Sequence, residues 1–111
     1  MNKDEKQYKF VITFDEDRAQ QYGENINDWY QHVAQIIVPW GVTEIEQGVW
    51  TPIHGIGSDD LFTQCHALDA LAESDWFMRR VQSVLIYEDD GGSCEMLDVI
   101  RRHRPHLLLH K

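Results

Sequence analysis

The chain has 111 residues, 42% of them hydrophobic and 11% aromatic, with a formal net charge of -9, enough for one domain around one core and too little for two. No apolar run approaches the roughly 20 residues that span a bilayer. The polar start MNKDEKQ lacks an apolar signal core, so a soluble, cytosolic protein is expected. The acidic balance argues against wrapping duplex DNA on a broad cationic surface, because such affinity comes from Lys and Arg neutralising phosphates.

Residues 8–14, dense in Phe, Val, Ile and Thr, predict a first strand that runs into the acidic cluster Asp15-Glu16-Asp17. Residues 16–25 are polar and contain Gly23, which predicts a connection, with Asn25 or Asn27 capping the next element. Trp29, Val33, Ile36 and Ile37 recur at helical spacing over 26–38, and Pro39 and Gly41 are stop signals. Residues 42–47 alternate and 49–51 resume β-type composition after Gly48, which predicts a hairpin or a bulged strand pair.

A Gly-containing loop over 52–58 leads to a second helix capped by Ser58 or Asp59 and ending near Glu73, with Leu61, Cys65, Leu68 and Leu71 or Ala72 as its buried stripe. Ser74 and Asp75 cap a further turn carrying Trp76, Phe77 and Met78. Residues 81–87 read as a late strand, DDGG as a turn, 93–102 as a last helix, and 103–111 as a tail. Strand, helix, two strands, helix, strand, helix is the order of an α+β, ferredoxin-like βαββαβ sandwich with an extra C-terminal helix. The four Trp are a large apolar supply for a core or an interface.

Cys65 and Cys94 lack C-x-x-C spacing and read as reduced. Asp15 is the first candidate for chemistry, because a carboxylate at a strand end can orient a hydroxyl, act as general base or hold a metal ion. If the strand continues, Asp15 and Asp17 point to one side and suit Mg²⁺ as a candidate cofactor; the alternative is a solvated strand end. His54, in its Gly-containing loop, is a candidate general acid. His32 and His66 lie on helices and read as surface or core-edge residues. His103, His106 and His110 have metal-like spacings, but Pro105 breaks the helix they would need. Arg101, Arg102 and Arg104 suit either RNA phosphates or the negative end of the last helix.

Taken together, Phe10 to Asp15, YGE at 22–24, WG at 40–41, QG at 47–48 and ALDALAESDWFMRRV leading into SVLIY resemble the virulence-associated protein D (VapD) family. The resemblance spans about 8–102. It implies a small ferredoxin-like endoribonuclease, usually homodimeric and related in fold to a CRISPR-associated nuclease, with single-stranded RNA as substrate and Asp15 as the catalytic carboxylate. It brings Gln47 and Thr51 into the candidate site. The chain departs from the family where Val49 stands in place of a Ser after Gln47-Gly48, so that Thr51 is the next hydroxyl, and where Leu85 and Glu88 replace basic residues. These departures and the charge of -9 admit a second expectation, a non-catalytic acidic protein that binds a basic partner surface and inhibits a nucleic-acid-binding complex.

Overall fold

The computed structural model describes residues 8–53, 60–87 and 92–107. Strand β1 (Lys9–Phe14) alternates, with Phe10, Ile12 and Phe14 buried and Val11 and Thr13 turned to the other face. Then come α1 (Glu16–Tyr22), α2 (Ile26–Ile37), a 3-10 turn at Val38–Trp40, β2 (Val42–Glu46), β3 (Val49–Pro52) and α3 (Asp60–Ala72). The chain continues through α4 (Asp75–Arg80), β4 (Val81–Tyr87), β5 (Ser93–Glu95), α5 (Met96–His103) and a second 3-10 turn at Pro105–Leu107.

The sheet order is β2-β3-β1-β4-β5, with every neighbouring pair antiparallel. Two interleaved split βαβ units produce that order: β1 crosses over β3 to reach β2, and β3 crosses over β1 to reach β4. The fold is therefore α+β and ferredoxin-like, with α5 as the extra C-terminal helix and β5 as a short added edge.

Apolar spacing decides which side of the sheet is covered. Phe10 lies opposite Trp50 and Ile86, and Ile12 opposite Val84. Against this face pack Trp29, Val33 and Ile37 of α2, Leu68 and Leu71 of α3, Phe77 and Met78 of α4, and Met96, Leu97 and Ile100 of α5. Val11, Val49, Leu85 and Tyr87 on the opposite face are only half-buried. Trp29 and Trp50 are core, Trp76 is half-buried against the core, and Trp40 is exposed.

The structure corrects four local expectations. Residues 16–22 form a helix rather than a connection. Only Ala19 of it is buried, so it lacks an apolar stripe and is defined by its ends: Asp15 accepts from Asp17 N at one, and Gly23, at φ 70°, closes the other in the left-handed conformation. Residues 93–95 are a strand paired with β4, and the last helix begins at Met96, capped by Glu95, whose Oε2 accepts from Val84 N at 2.7 Å and Leu97 N at 3.3 Å. Among the described side chains of α3 the buried positions are Gln64, Ala67, Leu68, Leu71 and Ala72, whereas Cys65 is exposed; that of Leu61 lies outside them. The strand ends before Asp17, which lies in the first turn of α1. Ser58, Asp59 and His110 lie outside the described residues. Pro105 follows the end of α5, so His103 and His106 share no helix.

Candidate functional site

Asp15 is half-buried at the end of the central strand, beyond a bulge between Thr13 and Phe14 in the β1–β4 ladder. Its Oδ1 accepts from Asp17 N at 3.0 Å and its carbonyl accepts from Ala19 N at 3.1 Å. Among the described residues no donor reaches the second oxygen, Oδ2. The N-cap thus fixes the carboxylate without using it up. Because Asp17 is helical, the same-side carboxylate pair expected from an extended strand does not form. No group of three or more His, Cys, Asp or Glu able to hold a metal occurs among the described residues. The donor set does not fit a protein-built metal cage, although Mg²⁺ carried by substrate phosphates needs fewer protein ligands.

On one side Asp15 is backed by α1 and α4. Arg18 Nη1 donates to the carbonyls of Arg79, Arg80 and Val81 at 3.5, 3.4 and 3.3 Å, meeting the C-terminal carbonyls that α4 leaves without helical partners. Tyr22 OH donates to the Arg79 carbonyl at 3.4 Å. The Arg80 guanidinium lies 4.7 Å from the Tyr22 ring centre, 5.3 Å from Trp29 and 4.9 Å from Trp76. Its Nε reaches Glu24 Oε1 at 3.4 Å, and the same oxygen accepts from Trp29 Nε1 at 2.7 Å. This aromatic cage has no signature at any one position, since it gathers residues from 22 to 80. The excess of aromatic residues was its one trace in the sequence.

On the other side lies the β2–β3 turn. Gly48 has φ 85°, and a Cβ there would stand 2.6 Å from the Ile12 carbonyl oxygen and 3.1 Å from the Tyr30 ring. Its carbonyl accepts from Ile12 N at 2.7 Å, and its own N–H donates to Glu44 Oε2 at 2.9 Å. Glycine is required here both for the backbone angle and for the close approach. Gln47 donates to Asn27 Oδ1 at 3.1 Å, and Tyr30 OH accepts from Phe14 N at 3.3 Å. Gln47, Asn27, Tyr30 and Gln31, together with Glu44, Ile45 and Glu46, border an open groove of about 510 Å³.

The remaining candidates separate from this centre. Thr51 Oγ1 donates to the Tyr8 carbonyl at 2.8 Å, so the hydroxyl holds the chain before β1. Arg101 pairs with Asp98 at 2.7 Å, and Arg104 bridges to Asp69 at 3.4 Å and Glu73 at 3.1 Å, tying α5 to α3. Arg102 is exposed and has no partner among the described residues. Leu85, opposite Val11 and Glu95, lies half-buried on the sheet face away from the helices. His54 and Glu88 lie outside the described residues. His32 stacks on Trp76 with ring centres 4.0 Å apart, and His66 packs 5.8 Å from Trp40. Compared with known proteins, the chain matches no family model and no curated protein.

Proposed function

We propose that the protein is a VapD-like endoribonuclease that cuts single-stranded RNA in the cytoplasm as a homodimer, of toxin type or carried by a mobile element. The observation that carries this reading is the half-buried Asp15 carboxylate, with one oxygen fixed by Asp17 N and the other available. As general base, Oδ2 takes the proton of a ribose 2′-hydroxyl. The 2′ oxygen then attacks the adjacent phosphorus and the bond to the 5′ oxygen breaks, leaving a 2′,3′-cyclic phosphate while water protonates the leaving oxygen. Gln47 and Asn27 beside the groove supply neutral amides for base edges, which are accessible in unpaired RNA. Arg102, with Arg101 and Arg104 once their exposed ion pairs open, supplies the phosphate contacts. The test is incubation of the purified protein with labelled single-stranded RNA in Mg²⁺ and in EDTA. Cleavage in both conditions with cyclic-phosphate ends is expected, whereas intact RNA in both refutes the reading.

One observation favours the second reading, an acidic inhibitor of a nucleic-acid-binding complex. Arg18, Arg79, Arg80, Arg101 and Arg104 are all engaged by groups of the same chain, so little cationic surface is left for RNA among the described residues. Stoichiometric, salt-sensitive inhibition unaffected by loss of the Asp15 charge would support it.

A further inference from the structure

Between the α1–α2 connection and α4 lies an open groove of about 470 Å³ whose walls include Glu24, Asn25, Asp28, Trp29, His32 and Trp76. Its volume falls within the range of small-ligand sites. We propose that it binds arginine side chains presented by a basic segment of a partner protein.

Three observations support that chemistry. The walls carry two indoles and an imidazole; Trp29 is buried and both indoles already face Arg80, so the ring left for an incoming guanidinium is His32, which lies on Trp76 at 4.0 Å and 32°. Glu24 adds a carboxylate that Arg80 already pairs with at 3.4 Å, and Asp28 adds one that is exposed with no side-chain partner among the described residues. The molecule also contains an internal example, since Arg80 lies against Trp29 and Trp76 and pairs with Glu24. Asp28 and His32 are one helical turn apart on α2 and share a face, so an incoming guanidinium can pair with one and stack on the other. A phosphate would meet repulsion from Asp28, which has no cation beside it among the described residues, and this favours a basic peptide over RNA at this place. The inference does not depend on the nuclease reading.

The experiment is a tryptophan-fluorescence titration of the full chain with a blocked tetra-arginine peptide, a tetra-lysine peptide and a short single-stranded RNA. Saturable binding of the arginine peptide, weaker for lysine and weakened by salt, is expected. Asp28→Asn should weaken it about fivefold. Asp98→Asn, which removes the same charge on α5, should leave it unchanged. His32→Ala should weaken binding without altering the salt dependence. Equal effects of Asp28→Asn and Asp98→Asn would overturn the proposal in favour of diffuse attraction. So would RNA binding that strengthens in Asp28→Asn, or the absence of saturable binding by the arginine peptide.

Discussion

Around Asp15, Arg18 of α1 and Arg80 of α4 are held by backbone carbonyls and ring faces, whereas at the end of α5 Arg101 and Arg104 are held by exposed carboxylates and Arg102 by nothing among the described residues. The first region is built, in that Arg18 and Arg80 have partners that the fold must keep. The second is merely charged, because exposed ion pairs contribute only about 0–1 kcal/mol and exchange readily for other anions. A phosphate ligand would therefore find its cations at the end of α5, not in the arginines beside Asp15.

The largest effect that sharpens this contrast is expected at Gly48. Gly48→Ala forces a side chain into the Ile12 carbonyl at a positive φ and should destabilise the fold by about 2–4 kcal/mol. Gly23→Ala, also at positive φ but with nothing within 4 Å, should lose only about 1–2 kcal/mol. Urea denaturation of both variants measures the difference. Arg80→Ala removes the cation from its cage of Tyr22, Trp29 and Trp76 and should reduce stability by about 1–2 kcal/mol, seen as a lower Tm. A neutral result would show that the cage is incidental and would erase the distinction between the two regions.

Asp15→Ala should cost about 1 kcal/mol by removing the α1 cap, whereas Asp15→Asn keeps an amide oxygen for Asp17 N and should cost a few tenths, to order of magnitude. Smallest of all, Arg102→Ala should change stability by less than about 0.5 kcal/mol. It should nevertheless weaken RNA binding and reduce the salt slope by about 1 unit, measured by filter binding over a salt series.

How much of the molecule was legible depends on where the information lies. Strand β1 and helix α2 were readable because Phe10, Ile12 and Phe14, and Trp29, Val33 and Ile37, repeat with the periods of their elements. Helix α1 was not, since its residues carry no stripe and its definition lies in Asp15 and Gly23 at its ends. The position of Asp15 was visible from the strand before it, but continuing that strand through Asp17 hid the cap and suggested a carboxylate pair that the helix rules out. Thr51 and Arg104 looked free because their partners, the Tyr8 carbonyl and the acids of α3, are distant in sequence. The Arg80 cage was hidden for the same reason.

The fold holds the Asp15 carboxylate by one oxygen and leaves the other without a donor among the described residues, and the proposed cleavage depends on that second oxygen. The most direct measurement is RNA cleavage by Asp15→Asn beside the unaltered protein, with urea denaturation of the same samples. Nearly equal stability and loss of cleavage are expected for Asp15→Asn. Cleavage at the unaltered rate by a folded Asp15→Asn protein would contradict that dependence.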